Sequence, residues 1–405
     1  MDTRDRIKYY THLIEELSKK GSNDDLFWLY LERGLYYMQE HEYELALSDF
    51  THASFIKPDE SIVYYNLAIV YRMMKDEDMA FKCLKKVIDI NDRDPFAYYE
   101  LGKLLYDKKE YSLAEEYYTK AIKNGKRGSD IYYRRALTRY RMGMINGAIG
   151  DINLAIKMKP SAADYYVLRA NINLLTKNYV GVINDFNRLV EIKPSHSIYR
   201  LNRAIIYATI ASLLKLIAKN SIPSILVDKV KRSLLGFEQD YHRYYDMAEE
   251  DINVAVESEG LVFGDFYISP SYYIARGAIY LSYGKHIAAA MDFSVAKSIL
   301  KSYFQSKTNL SYKSMRALVE MYLDNYDEAR KYISDDDTTS KINILRACWW
   351  WKAERNFERT YFWFKKAYDN GFDIFEVIDD IFEGYFLQSF LKELENRKLL
   401  SDFLR

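Results

Sequence analysis

The apolar positions of this chain fall on helical faces, and the pattern of faces recurs. Counting from Phe27 in steps of 34, the fourth position is Tyr30, Tyr64, Tyr98, Tyr132 and Tyr166. The eighth is always small: Gly34, Ala68, Gly102, Ala136 and Ala170. The twentieth is Ala46, Ala80, Ala114, Ala148 and Val182, and the twenty-fourth is Phe50, Leu84, Tyr118, Ile152 and Phe186. Positions 4, 7, 8 and 11 share one face of a helix, and positions 20, 24 and 27 share one face of a second. Each period therefore predicts two antiparallel helices whose small residues let the backbones approach. Pro58, Pro160 and Pro194, at position 32, stop the second helix. A single hairpin cannot bury its own apolar face, so the units must stack.

The pattern runs through residues 27–196 without a gap and resembles the tetratricopeptide repeat. It resumes at Pro270 with Tyr273, Gly277, Tyr280, Ala289, Phe293 and Ala296, then weakens in copies from Leu310 and Lys341. The resemblance implies an all-α fold, a right-handed α-α superhelix (solenoid) of about nine helical hairpins with capping helices. The expected organisation is an N-terminal capping helix in residues 1–26 and five regular hairpins in 27–196. A sixth hairpin with a helical insertion follows in 197–262, then three more in 270–374, the last two degenerate. C-terminal capping helices fill 375–405.

A second periodicity concerns charge. Position 7 is Arg33, Arg135, Arg169 and Arg276, and position 23 of the same repeats is Asp49, Asp151, Asp185 and Asp292. Repeats two and three have Leu67 and Leu101 at position 7, and there position 23 is Cys83 and Tyr117. The two slots switch together, which predicts an Arg–carboxylate bridge across each hairpin. Repeat eight departs, with Arg316 opposite Tyr332. Arg203 occupies slot 7 of repeat six, but its aspartate is Asp251, after an insertion of roughly residues 210–241 that itself reads as helical. The insertion's Leu213, Leu216, Ile222, Ile225, Leu226, Leu234 and Leu235, interspersed with basic residues, suit either an amphipathic element that covers the groove or docks on a partner, or a local spacer that buries its apolar face on repeats five and six, the second being the favoured reading.

Composition narrows the function without naming it. Lys plus Arg and Asp plus Glu number 58 each, so net charge favours neither nucleic acid nor membrane. The charge is uneven, however: residues 119–236 hold 21 basic and 6 acidic side chains. That basic middle is the basis of an alternative reading as an RNA- or polyanion-binding module. Cys83 and Cys348 form no CxxC pair, which fits neither a disulfide framework nor a zinc module and suits a cytoplasmic protein. No secretory leader and no membrane span are expected. The histidines show no metal-ligand spacing, and nucleotide-loop and nucleophile-elbow motifs do not occur, so neither catalysis nor a cofactor nor a metal is expected.

In the family this chain resembles, position 5 and the nearby positions 2, 9 and 12 line a concave groove. Carried onto these residues, the resemblance implies a partner-binding groove of Tyr65, Tyr99, Tyr133, Arg72, Lys103, Tyr106, Arg134, Tyr140, Asn171 and Asn202. Tyrosines at such positions serve equally well as braces between helices. The family's carboxylate clamp for Glu-Glu-Val-Asp tails is absent, because Leu31 and Leu35 precede Asn66, and Phe96 and Glu100 follow it. The expected function is a non-catalytic scaffold or adaptor that binds a peptide or helix of another protein. A self-assembling structural subunit, forming a homo-oligomer, is the remaining alternative. The three tryptophans Trp349, Trp350 and Trp351 cannot share one helix face, and the C-terminal tail is expected to cover Trp350.

Overall fold

The computed structural model describes residues 2–19, 23–262, 269–303, 310–333, 340–370 and 383–403, and among them there is no strand. The chain divides into two compact units, residues 1–168 and 169–405.

In the first unit α1 (Thr3–Ser18) packs on α2 (Asn23–Gln39), which pairs with α3 (Tyr43–Ile56). Three more hairpin pairs or parts of pairs follow: α4 (Ser61–Met73) with α5 (Glu77–Ile90), α6 (Pro95–Asp107) with α7 (Tyr111–Lys123), and α8 (Ser129–Arg141) with α9 (Ile145–Met158). α10 (Ala163–Leu175) contains the boundary between the units. The core is made by the slots read from the pattern. Ala46, Phe50, Ala53, Ala114, Tyr118, Ala121, Ala148, Ile152 and Ala155 are all fully buried. α1 joins this core through Ile14, and Tyr10 stacks on Tyr36 at 5.6 Å.

The second unit continues with α11 (Tyr179–Ile192), α12 (Ser197–Ala218), α13 (Val227–Ser233) and α14 (Tyr241–Val262). Next come α15 (Pro270–Tyr283), α16 (His286–Tyr303), α17 (Leu310–Tyr322) and α18 (Tyr326–Arg330). The last helices are α19 (Ser340–Ala353), α20 (Phe357–Asp369) and α21 (Glu383–Asn396). Part of the expected C-terminal cap, residues 375–382, lies outside the described residues.

The insertion in repeat six takes the buried one of its two expected forms. It begins as an unbroken continuation of α12 to Ala218, and its apolar side chains face inward. Leu213, Leu214, Ile222, Leu226, Val230 and Leu234 are buried, and Leu216 is half-buried, leaving Leu235 exposed. The reason is geometric: α12 and α14 are each 22 residues long, so the apolar stripe of one runs along the other well past the ordinary hairpin turn. Lys215 donates to the Ser282 carbonyl (2.6 Å), and the Ser224 amide and hydroxyl donate to Glu395 on α21 (2.5 and 2.6 Å). The insertion thus belongs to the core of its unit.

α12 holds no run of eighteen apolar residues; by length and overall composition alone it could cross a membrane, and 56% of that window is buried inside the protein. It carries Arg200 and Arg203, both bonded to Asp251 of α14. Among the described residues, α21 packs on α19 through Trp351. The Trp351 indole donates to Ser389 (2.9 Å) and meets Phe390 edge-on at 5.2 Å. Trp350 instead lies under the Arg359 guanidinium, 4.2 Å from the ring centre.

Candidate peptide-binding surface

Two of the residues expected in a groove converge on a third that the sequence reading passed over. Glu100, buried at position 6 of α6, accepts from Arg72 of α4 and from Lys103 one turn along its own helix (2.7 Å). Lys103 also stands 5.2 Å over the Tyr99 ring. The Tyr99 hydroxyl accepts from Arg134 Nε of α8 (3.1 Å), and Lys126 lies 4.9 Å from both Tyr99 and Phe96. A buried carboxylate needs paired cations to be tolerated, and Arg72 and Lys103, at positions 12 and 9, are within reach. That signal was present in the sequence, since Glu100 interrupts an otherwise apolar helix face. It marked only a failed clamp there.

Burial sets the chemistry of the cluster. It pushes the Tyr65 hydroxyl up to about 12, with Glu100 and Asp94 adding to the shift. Burial likewise raises Tyr99 and Tyr133 and holds the Lys103 ammonium below its ordinary value, although Glu100 pulls it the other way. All three tyrosines therefore remain neutral hydroxyls at ordinary pH.

The expected ladder is uneven. Tyr65 and Tyr133 are half-buried, and Tyr133 stacks on Tyr165 with ring centres 4.9 Å apart. Tyr99 is buried rather than groove-lining, because Tyr118 (6.0 Å) backs it while Lys103 and Lys126 cover its ring. Tyr106 is half-buried against Tyr111 at 5.4 Å, and Tyr140 is half-buried. Asn171, exposed, and Asn202, half-buried, belong to the second unit.

The arginine–aspartate slots form ion pairs inside the hairpins. Arg33 donates to Asp49 (2.8 and 2.7 Å), Arg135 to Asp151 (2.8 and 2.7 Å) and Arg276 to Asp292 (2.8 and 2.8 Å), each through Nε and Nη2. Arg203 grips Asp251 across the insertion (2.6 and 2.7 Å). Arg169 places Nε and Nη2 on Oδ1 of Asp185 (3.0 and 2.6 Å), whose other oxygen accepts from Asn173. Burial still pushes the Asp49 and Asp185 carboxyls up despite their partners. At these two aspartates burial outweighs the pull of the guanidinium, which makes orientation of the helices a role of the bridges beside any gain in stability.

A third donor of the same arginines reaches the preceding hairpin, which sequence reasoning missed. Arg135 Nη1 meets Thr119 (3.1 Å), Arg203 Nη1 meets Asn187 (2.7 Å) and Arg276 Nη1 meets Asn253 (3.2 Å). These acceptors all occupy position 25. Where position 7 is Leu101, position 25 of the repeat before is Lys85, which bonds the Tyr117 hydroxyl instead. Arg316 of the irregular repeat eight donates to the Lys297 carbonyl (2.7 Å) and lies 5.6 Å over Tyr332.

Stacked α-hairpins with one internal packing code define a helical-repeat protein of the all-α class. More particularly, the chain is a tetratricopeptide-repeat protein: the tetratricopeptide repeat model matches residues 62–94 and 97–124, repeats two and three of the period. Repeats of this class serve generally as protein-interaction scaffolds and are typically non-catalytic. No curated protein matches the chain. Among solved structures it is similar to a tetratricopeptide repeat protein from Parabacteroides merdae, at 15% identity over 73% of this chain and 99% of that one (TM-score 0.44). It is also similar to YrrB, described as having an unusual peptide-binding site, at 16% identity over 52% of this chain and 91% of that one (TM-score 0.41). Similarity to MamA is 20% identity over 40% of this chain and 94% of that one (TM-score 0.38).

Proposed function

We propose that the chain is a non-catalytic cytoplasmic scaffold that holds a peptide or helix of a partner protein against repeats two to four. The observation that carries this reading is the pair of half-buried tyrosines Tyr65 and Tyr133, in the repeats on either side of the one that holds the Glu100 cluster. Rigid amphipathic rings give contact area at low entropy cost. Because Glu100 already engages Arg72 and Lys103, an incoming carboxylate meets cations that have a competitor. The surface suits an aromatic or neutral polar segment rather than an acidic tail. The arginines of the basic middle support the same choice over a polyanion: Arg135, Arg139, Arg200 and Arg203 are all bonded to carboxylates. The test is affinity purification with mass spectrometry, comparing the native chain with Tyr65→Ala/Tyr133→Ala after circular dichroism has shown equal helicity. A partner recovered by the native chain and lost by the variant is the expected result. Equal recovery would move the binding surface elsewhere.

A further inference from the structure

In the second unit α19 and α20 enclose, with the end of α18, a cavity of about 270 Å3. Its walls alternate indole rings and guanidinium groups. Arg359 stands 4.2 Å from the centre of the Trp350 ring, Arg346 4.3 Å from Trp363 and Arg330 5.8 Å from Trp349. Neighbouring rings meet edge-on, Trp349 with Trp350 at 4.8 Å and Phe362 with Trp363 at 4.9 Å. The back wall is fixed. Trp349 and Arg346 are buried, and the Trp349 indole donates to the Tyr326 carbonyl (2.7 Å). The mouth is open: Phe362 is 56% exposed, Arg359 is exposed, and Trp350 and Trp363 are half-buried. Trp363 occupies position 23, where repeats one, four, five, six and seven place the aspartate of the Arg–Asp bridge. In this last repeat a ring face has therefore replaced the carboxylate that would close the space with an ion pair.

We propose that this cavity is a second docking pocket, separate from the tyrosine surface, for one aromatic side chain, tryptophan or tyrosine, presented by a partner protein. A flat ring entering the cavity extends the stacks of indole and guanidinium already present. The guanidinium groups along its walls favour an electron-rich face over an aliphatic group of equal bulk. A fixed back wall and an open aromatic mouth are what a buried anchor residue requires. A nucleobase would stack as well, but it brings a phosphate. That phosphate would compete with protein acceptors, because Arg330 donates to the Ile333 carbonyl (3.1 Å) and Arg346 to Asn343 (2.8 Å). The space suits a ring without a phosphodiester attached.

The test uses the full chain labelled with fluorotryptophan, titrated with the peptide acetyl-Gly-Trp-Gly-amide and followed by fluorine NMR. The resonances of Trp349, Trp350 and Trp363, assigned through Trp349→Phe, Trp350→Phe and Trp363→Phe, are expected to shift saturably. That of Trp28, in the first unit, should stay in place. The same peptide with cyclohexylalanine for tryptophan keeps the bulk and loses the π face, so it should bind at least about fivefold more weakly. Phe362→Ala and Arg359→Ala, both at exposed positions, should each weaken binding several-fold with an unchanged circular dichroism spectrum. Tyr65→Ala/Tyr133→Ala should leave it unaltered, which keeps failure of this pocket distinct from failure of the first surface. Absent shifts, shifts spread equally to Trp28, equal affinity for the cyclohexylalanine peptide, or indifference to both substitutions would overturn the proposal. So would displacement of the peptide by an equimolar amount of uridine monophosphate.

Discussion

At Gly102 a Cβ would stand 2.7 Å from the Tyr118 ring, and at Gly34 and Gly277 the same atom would stand 2.6 Å from Phe50 and Phe293. Glycine at position 8 thus accompanies a buried aromatic ring at position 24. Where position 24 is Leu84 or Ile152, position 8 is Ala68 or Ala136, and Ala170 faces a Phe186 that is only part-buried. Gly102→Ala should therefore destabilise by about 1–3 kcal/mol through overpacking. Adding Tyr118→Leu, the combination repeat two already uses, should cost less than the sum of the singles in urea titrations. The ion pairs obey a similar exchange. Arg276→Ala leaves Asp292 buried without its guanidinium, a loss of about 3–5 kcal/mol. Arg276→Leu/Asp292→Cys, copying slots 7 and 23 of repeat two, should be milder than that single change. If the double variant proves the less stable of the two, the bridge carries more than orientation.

Helix ends follow a rule that no residue type announces. The first helices of repeats one to five end at His41, Lys75, Lys109, Gly143 and Lys177, with φ of 62, 63, 63, 74 and 56°. The next amide then bonds back five residues, as Glu110 does to Leu105 and Met144 to Arg139 (both 2.8 Å), forming Schellman turns. A side chain in this conformation costs about 1–2 kcal/mol that glycine avoids. Lys109→Gly should accordingly raise stability by up to about 1 kcal/mol after glycine's own entropy cost, read as a higher denaturation midpoint. In α12 the same turn is deferred to Asn220 (φ 50°), with Ser221 bonding to Leu216 (2.9 Å). Deleting residues 212–240 in favour of a Gly/Ser linker would strip Leu213, Leu214, Ile222, Leu226, Val230 and Leu234 from the core. The expected product is aggregated or poorly helical, and a soluble product of full helicity would show the insertion to be dispensable.

For the whole molecule, burial of tyrosine sets the alkaline limit. Burial pushes both Tyr65 and Tyr245 up to about 12. A hydroxyl whose folded value is raised stabilises the fold fully below its unfolded value near 10, and that contribution fades as pH rises through about 12. Helicity should therefore fall between about pH 10 and 12, together with the ultraviolet signature of late-ionising tyrosines. Loss of helicity below that window would point to other groups. The period, the all-α class, the small and large packing slots and the Arg–Asp partners were legible in the sequence. Each is a local rule repeated in register, so five copies within one chain could be compared with one another. The hidden parts depend on distances that no period encodes. The left-handed turns fall on lysine as readily as on glycine because the Schellman bonds, not the residue type, hold them. Glu100 gathers Arg72 and Lys103 only once α4 lies beside α6. The insertion stayed open between docking and packing because its leucines have no partner within a repeat; in the fold α12, α14 and α15 supply one. Sequence determined the repeating unit, since helical periodicity and side-chain volume act between near neighbours. Tertiary structure alone decided which cations are engaged, which tyrosines are covered and that the insertion packs, because burial is a property of the packed stack.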